Sequence, residues 1–428
     1  MTTTGLSRRS FLAGLGAVGA ATALGGCVTS TGSQATAGGS ATGPVTLQSN
    51  LSAPSAKAAM QALVDSFNKK GATQASLNTV ASETFRTQLP TYLTSANPPD
   101  VLTWYAGSVA RSYADKNLLL DVSEVWTGLS GYSDALKQLS TDSGKQIFIP
   151  ASYYFWGMFY RKSNFAKWGV TAPTTWAEFL QVCETIKGKG VTPIGLGADN
   201  STPWVASGWF DYLNIRVNGA NYHRELLAGK HSFADPQVHK VFDQWKTALP
   251  YFDPKGTALS FQDATTNLLQ GRTGMMLIGT FLLDTTPKED VDDIDFFRFP
   301  IVDPTMPLVE EAPTDGFYAS AHTQRKPHTL EFLKYLTTAE AQEAYLKSSA
   351  GSSLPANSTA KDAGTPLITK GKEMLTKAAD LTQFFNRDSS DALQPTADAA
   401  LIKFIQHPEQ IDSILTDWQS AAKKVWTS

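Results

Sequence analysis

The amino-acid sequence predicts an α/β protein in which helices cover largely buried sheets. Short apolar runs, such as residues 275–278, have the composition of buried strands. Longer segments place apolar residues three and four positions apart, as Met60, Leu63, Val64 and Phe67 do, and this is helical spacing. The two kinds of segment alternate along the chain, which is typical of sheets covered by helices.

The first part of the folded chain is expected to begin with a strand at residues 45–47, followed by the helix of Met60. A second helical face lies at residues 85–93. The sequence Asn-Pro-Pro-Asp at 97–100 ends this helix, because proline removes a backbone donor. A strand then starts at residues 101–102.

Two further helices have recognisable starts. Thr175 and Glu178 have the spacing of a capping box, which predicts a helix over residues 176–187. Asp235 and Pro236 have the residue types of an N-cap and a first helical residue. We therefore expect the side chain of Asp235 to cap the helix that follows.

The remaining elements continue the same alternation. Residues 193–196 are expected to form a buried strand, and helices are expected at 329–337 and 339–347. The last helix has a face that includes Ile411 and Trp418. The sequence contains no internal repeat.

The amino terminus has the features of an export signal. Arg8 and Arg9 precede an apolar run at residues 11–24, and the run leads to Leu-Gly-Gly-Cys ending at Cys27. The paired arginines resemble a Tat signal, and the last four residues resemble a lipobox. We therefore expect residues 1–26 to be a signal peptide and Cys27 to be lipidated.

Residues 27–44 are expected to form a lipidated flexible tether. After Cys27 the segment has no charged residue and little that could be buried. Together, lipid and tether predict a protein outside the cytoplasm, anchored to the outer face of the cell membrane.

Composition excludes several kinds of protein. The 428-residue chain has a formal charge of −3 and no basic tail, so we expect no nucleic-acid partner. If Cys27 is lipidated, Cys183 is the one remaining cysteine, and its helical apolar neighbours predict a buried thiol. The histidines are scattered, so we expect neither a metal site nor a cofactor.

Several motifs occur in the order in which one known family has them. They are Asn-Pro-Pro-Asp-Val at 97–101, the aromatic segment at 150–165, Pro-Thr-Thr-Trp-Ala-Glu-Phe at 173–179, Gln-Gly-Arg-Thr-Gly-Met-Met at 270–276 and Glu-Phe-Leu-Lys-Tyr-Leu at 331–336. This series resembles the maltose-binding-protein-like extracellular solute-binding proteins of bacterial sugar ABC importers. Arg161-Lys162 departs from the usual Asn-Lys of the family, which affects a structural turn.

The resemblance implies a two-lobed fold with a ligand cleft between the lobes and several chain crossings. It also implies a carbohydrate ligand and the permease subunits of a membrane ABC importer as partners, and we expect a monomer. The implied division is residues 45–150 with 318–355 in lobe 1, residues 155–315 with 356–428 in lobe 2, and crossings near 150–156, 315–318 and 354–355.

A dense aromatic run at residues 153–160 lies between the two expected lobes. Aromatic rings suit the C–H faces of a sugar, and its hydroxyl groups need polar partners when they are buried. The residues expected to contact ligand are Trp104, Trp156, Trp209, Asp211, Tyr105, Tyr154, Trp204, Glu83, Phe281, Asp315 and Phe385. The first four are the leading candidates.

Two other functions remain open at this point. A secreted carbohydrate-active hydrolase needs only two carboxyl groups that meet in space, and acidic residues are plentiful. The chain lacks the Gly-x-Ser-x-Gly and His-Glu-x-x-His motifs, however, and we expect no enzyme activity. The other possibility is a binding protein for a solute that is not a sugar.

Overall fold

The computed structural model describes residues 43–347 and 351–427. The predicted signal peptide, the predicted lipidation site Cys27 and nearly all of the predicted tether lie outside the described residues. Among the helices that are described, none has both the length and the apolar character of a membrane span.

The strands are short, and most are buried. In chain order they are β1 Val45–Ser49, β2 Ala75–Thr79, β3 Val101–Tyr105, β4 Thr141–Asp142, β5 Lys145–Gln146, β6 Ile149–Tyr153, β7 Trp156–Arg161, β8 Thr192–Gly195, β9 Thr273–Gly279, β10 Ile294–Phe297, β11 Val309–Glu311, β12 Thr314–Ala319, β13 Leu354–Pro355 and β14 Asp380–Thr382.

The helices lie between and after these strands. They are α1 Pro54–Asn68, α2 Ser82–Thr94, α3 Ser108–Ala114, α4 Ser123–Trp126, α5 Asp134–Leu139, α6 Lys162–Trp168, α7 Trp176–Gly188, α8 Val205–Val217, α9 Gly219–Leu227, α10 Pro236–Lys246, α11 Phe261–Leu269, α12 Lys288–Val291, α13 Lys326–Leu336, α14 Ala339–Leu346, α15 Pro366–Thr376, α16 Phe385–Asp388, α17 Gln394–Gln406 and α18 Ile411–Trp426. The predicted α/β class is confirmed.

Two sheets organise the described chain. The first sheet has the strand order β13-β6-β12-β3-β1-β2, with β1 parallel to β2 and β3, and β12 antiparallel to β3 and β6. The second sheet has the order β10-β7-β9-β8, in which β8 and β9 are parallel and β7 is antiparallel to both neighbours. The chain passes from β6 to β7 through Tyr154 and Phe155 alone, so the two sheets meet at this point.

Each sheet has its own apolar core. Around the first sheet, α1 and α13 bury Leu63 and Phe332 against strand residues such as Leu47. Around the second sheet, the larger core includes Trp209 and Phe242. Burying a large side chain of this kind contributes about 1.5–3 kcal/mol relative to leaving it exposed, so the packing around each sheet stabilises the fold.

The predicted helix starts had different outcomes. The capping box before α7 is confirmed, because the Glu178 amide donates to Thr175 Oγ1 at 3.3 Å and Glu178 Oε2 accepts from the Thr175 amide at 2.9 Å. The prediction that the side chain of Asp235 caps the helix is wrong. Asp235 precedes α10, but its carboxylate makes no bond to the helix and accepts from the Ser232 amide at 3.0 Å.

Arg161, the departure from the usual family sequence, forms an ion-pair network. Its Nε donates to Asp293 Oδ2 at 2.7 Å and its Nη2 donates to Asp290 Oδ1 at 2.8 Å. The side chain therefore ties the end of β7 to α12 and to the residue that precedes β10. As predicted, Cys183 is a free and buried cysteine, and burial raises the pKa of its thiol.

Candidate functional site

A cleft of about 490 Å³ lies beside the passage from β6 to β7. This volume falls within the usual range of small-molecule sites, about 300–1,000 Å³. Both sheets supply elements around it. The lining residues are Arg86, Tyr105, Tyr154, Trp156, Asn200, Ser201, Pro203, Trp204, Phe261, Phe281, Phe384, Asn386, Arg387, Gln394 and Asp398.

Interlocking aromatic rings form the apolar surface on the second-sheet side. Trp156, the first residue of β7, stacks on Phe384 at 4.9 Å and meets Trp204 edge-on at 6.2 Å. Phe281 lies 6.0 Å from Trp204, and Phe261 lies 5.7 Å from Phe281. Trp204, Phe261 and Phe281 remain partly exposed, whereas Trp156 and Phe384 form a buried floor.

The first-sheet side contributes fewer groups. Tyr105 ends β3, and its ring is stacked on Trp104 at 4.2 Å, which in turn is stacked on Phe85 at 5.1 Å. Arg86 follows Phe85 on α2 and reaches the cleft. Only the outermost ring of this stack, Tyr105, lines the cleft.

Arg387 joins the two sides of the cleft. Its Nη1 donates to Asp315 Oδ1 at 2.9 Å and to the carbonyl of Thr314 at 3.0 Å, and its Nη2 donates to Tyr154 Oη at 3.1 Å. The guanidinium carbon also lies 4.0 Å from the ring centre of Tyr105. A buried arginine held by this many partners is a fixed donor group, with little freedom to adapt to a ligand.

Polar side chains occupy the rim. Asn200 and Ser201 are exposed, and Asn386 and Gln394 are largely buried. Gln394 donates through Nε2 to Asp398 Oδ1 at 2.6 Å. Burial raises the pKa of Asp398 to about 6, although the bond from Gln394 and the charge of Arg86 oppose this shift.

Five of the residues expected from the sequence line this cleft: Tyr105, Tyr154, Trp156, Trp204 and Phe281. They come from the end of β3, the β6–β7 passage, the residue before α8 and the turn after β9. The arrangement offers a ligand flat apolar surfaces on one side and fixed polar groups at the edges.

Two of the leading tryptophan candidates do not reach the cleft surface. Trp209 is 0% exposed and packs against Phe252 at 4.7 Å and Trp245 at 6.2 Å, inside the second core. Trp104 is 1% exposed and is covered by Tyr105. The reason is packing: residues 205–216 of α8 are all buried, and Trp104 lies in a strand in which only Tyr105 is partly exposed, so apolar surface around both tryptophans is removed from water.

Asp211 and Phe385 also lie in the interior, away from the lining. Asp211 Oδ2 accepts from the Phe385 amide at 2.8 Å, so this carboxyl group holds the start of α16. Burial raises the pKa of Asp211 and of its neighbour Glu311, and the charge of Asp211 raises that of Glu311 further. Burial lowers the pKa of His223, whose Nε2 lies 3.7 Å from Asp211 Oδ1, to about 3.

The two remaining candidates have different places. Asp315 is paired with Arg387 behind the cleft surface, so it acts on the cleft through that arginine. Glu83 belongs to α2, and its side chain is outside the described part of the structure.

Several lining residues escaped the sequence analysis. Phe384 lines the cleft where Phe385 was expected, because the chain enters α16 between them and turns their side chains to opposite surroundings. Arg86 follows the buried Phe85 on α2, and no motif in the sequence distinguishes it from other surface arginines. Asp398 lies on α17, far along the sequence, and has no local signal.

No metal centre is formed by the residues that the structure describes. Within residues 43–347 and 351–427, no group of three or more His, Cys, Asp or Glu side chains has the positions to hold a metal ion.

Comparisons with known proteins agree with this architecture. The chain is 24% identical over 263 residues to an uncharacterized ABC transporter extracellular-binding protein of Pyrococcus horikoshii, covering 60% of this chain and 58% of that protein. It is 26% identical over 350 residues to the alpha-glucosides-binding periplasmic protein AglE of Rhizobium meliloti, covering 75% and 74%. The chain thus spans less than two thirds of the Pyrococcus relative.

A solved structure matches more completely. The bacterial solute receptor AcbH, described as having an exclusive preference for β-D-galactopyranose, has 28% identity and a TM-score of 0.81, covering 90% of this chain and 98% of its own. The predicted fold class, a two-lobed solute-binding-protein-like α/β fold, is confirmed by this likeness. Residues 52–343 match the family described as bacterial extracellular solute-binding protein, and the chain belongs to that family.

Proposed function

We propose that this protein captures a carbohydrate outside the cytoplasm and delivers it to a membrane ABC importer. The observation that carries the proposal is the cleft, where partly exposed rings adjoin fixed polar groups. Trp204 and Phe281 provide apolar faces, and Asn200, Gln394 and Asp398 provide hydrogen-bonding groups at the edge. A pyranose has matching surfaces, because its C–H faces are apolar and its rim is hydroxylated.

The relatives support this ligand class. AglE is named as an alpha-glucosides-binding protein, and AcbH is described as a receptor that prefers β-D-galactopyranose. A different relative, from Streptococcus mutans, is a multiple sugar-binding protein with 25% identity over 227 residues. Because these relatives are named for different sugars and another similar structure is a complex with raffinose, D-galactose, maltose and raffinose form the first panel.

We propose that the lobes follow the division that the family resemblance implies. Lobe 1 takes residues 45–150 and 318–355, and lobe 2 takes 155–315 and 356–428. Arg86 and Tyr105 then face Trp204 and Asp398 across the cleft. A ligand that touches both groups favours the closed arrangement by its extra affinity for that form.

Membrane attachment is part of the same proposal. Lipid on Cys27 and an uncharged tether would keep a monomeric receptor beside its importer. Replacing Cys27 with Ala is expected to move the protein from the membrane fraction to the medium. A Cys27→Ala protein that still fractionates with membranes contradicts the anchor, and leaves the sugar proposal to its own test.

Calorimetric titration with the sugar panel tests the ligand class. We expect saturable binding of at least one sugar, with one molecule bound per chain. Prolonged incubation followed by product analysis should return the sugars intact, because the family is one of substrate-binding proteins. Release of smaller sugars would favour a hydrolase, and failure of all sugars together with binding of another solute would replace the ligand class.

A further inference from the structure

Gly208 lies directly behind the aromatic floor of the cleft. It belongs to α8, and a Cβ built at this position would lie 2.6 Å from Cζ3 of Trp156 and 3.1 Å from its Cε3. Normal carbon contacts are about 3.5–4.0 Å. The Trp156 ring therefore occupies space that any other residue at position 208 would need.

The ring, rather than the helix, would give way to a larger residue. The neighbours of Gly208 on α8, Trp209 and Tyr212 among them, are 0% exposed and packed into the second core. Packed interiors resist displacement because they contain almost no free volume. Trp156 is itself 1% exposed and packed against Phe384, but it lines the cleft, which is the unfilled space beside it, so we expect a displaced ring to move into the cleft.

Gly279 has the same relation to two other rings. It ends β9 and is the cross-strand partner of Trp156. A Cβ at this position would lie 2.4 Å from Cε1 of Phe281 and 3.0 Å from Cε2 of Tyr154, and both of these rings line the cleft. Two glycines on different elements thus support neighbouring parts of one aromatic surface.

We propose that Gly208 and Gly279 are specificity-determining residues that set the depth of the sugar site. Each leaves room for rings to lie back from the ligand, so that the cleft accepts a larger sugar than alanine at either position would allow. Neither glycine lines the cleft, so both act through the position of Trp156, Tyr154 and Phe281. This inference rests on the proposed sugar-binding function.

The binding test compares Gly208→Ala with Gly188→Ala, using D-galactose, maltose and raffinose as probes. Gly188 is the exposed last residue of α7, and a Cβ there meets nothing within 4 Å, so this variant controls for a glycine-to-alanine change in a helix. For the largest sugar that the wild type binds, Gly208→Ala should weaken affinity about tenfold or more, as added groups in a pocket do. Gly188→Ala should bind like the wild type.

The change in affinity for large and for small sugars distinguishes a shallower site from a partly misfolded protein. Gly208→Ala should lose more affinity for the largest bound sugar than for the smallest, whereas a misfolded fraction lowers the number of sites for all sugars alike. If the wild type binds just one sugar of the panel, a mono-O-methyl ether of that sugar takes the place of the larger ligand. Unchanged affinities, or equal losses for large and small ligands, would overturn the proposal.

A crystal structure of ligand-free Gly208→Ala provides a readout that does not need a sugar. We expect the Trp156 ring to shift toward the cleft by roughly 1 Å, the distance that restores a normal contact. A ring that stays in place while α8 moves would refute the role of Gly208. A wild type that binds no sugar defeats the proposed function, yet the position of this ring still decides the inference.

A second variant tests the same clash if Gly208→Ala does not fold. Trp156→Phe shortens the ring that clashes, so the double variant Gly208→Ala/Trp156→Phe should fold and melt close to Trp156→Phe alone. A double variant that remains unfolded would show that Gly208 is needed for some other reason. Gly279→Ala gives an independent test, with the displacement expected at Phe281.

Discussion

The two sides of the cleft use aromatic residues in opposite ways. On the first-sheet side, Phe85, Trp104 and Tyr105 form a stack, and only Tyr105 lines the cleft. On the second-sheet side, the rings meet one another largely edge-on, and several of them line the cleft together. A stack hides its inner members, whereas rings that meet at steep angles share an open surface.

The difference has a consequence for binding. Most of the apolar contact is built on one side, so we expect the second-sheet side to dominate ligand affinity and the first-sheet side to add a smaller contribution on closure. Substitutions that compare exposed rings with inner rings, and one side with the other, test this expectation directly.

The largest effect is expected from an inner ring of the second core. Trp209→Ala should lower the free energy of unfolding by about 3–5 kcal/mol, because it leaves a cavity in a fully packed region. Sugar affinity of the folded protein should stay the same. Chemical denaturation beside calorimetric titration measures both quantities, and a large loss of affinity with normal stability would place Trp209 in the site after all.

Trp204→Ala should show the reverse pattern. This ring is partly exposed in the cleft, so its removal should cost about 2 kcal/mol of binding, or roughly 30-fold in affinity. The melting temperature should fall less than that of Trp209→Ala. Equal affinity in Trp204→Ala and wild type would remove the second-sheet side from its leading role.

Tyr105→Ala examines the first-sheet side. We expect the free energy of binding to weaken by about 0.5–1.5 kcal/mol, which is the scale of a single aromatic contact. Because the ring also lies under Arg387, the variant Tyr105→Phe provides a control that keeps the ring and removes the hydroxyl. If Tyr105→Ala weakens binding more than Trp204→Ala does, the expected order of the two sides is reversed.

Acid should weaken binding through the rim of the cleft. The pKa of Asp398 is about 6, so its carboxyl becomes protonated as pH falls through this value and accepts hydrogen bonds from sugar hydroxyls less well. Titrations between about pH 5 and pH 8 should show affinity rising with a midpoint near 6. Asp398→Asn should bind with a flat profile, and an unchanged profile would exclude this carboxyl as the titrating group.

The last effect, on stability, concerns the buried acidic pair behind the second-sheet side. Because the folded-state pKa of Glu311 is raised, the folded protein holds this proton more tightly than the unfolded chain does. The resulting stability is present at low pH and is lost as pH rises. Relative to Glu311→Gln, the wild type should therefore lose stability as pH rises above the ordinary range of a glutamic acid pKa. Parallel curves for the two proteins would contradict this assignment.

Much of the fold could be predicted from local patterns. The periodicity of Met60 and Phe67, the capping box of Thr175 and the strand around Met275 each depend on neighbours a few residues away, and each element is present. Asp235 shows the limit of that reasoning. Its residue type is typical of an N-cap, but its carboxylate accepts a hydrogen bond from the nearby Ser232 amide and not from the helix.

The candidate site shows the same contrast between what local patterns predict and what tertiary packing decides. The sequence determined that aromatic residues would concentrate between two α/β units, because composition and order are written in the chain. Which ring faces the cleft was decided by the tertiary structure: Trp204 lies in the wall while Trp209 lies in the core, and Phe384 replaces Phe385. The physical reason is that a cleft is formed by segments distant in sequence, so exposure of one ring depends on the packing of others that local periodicity does not contain.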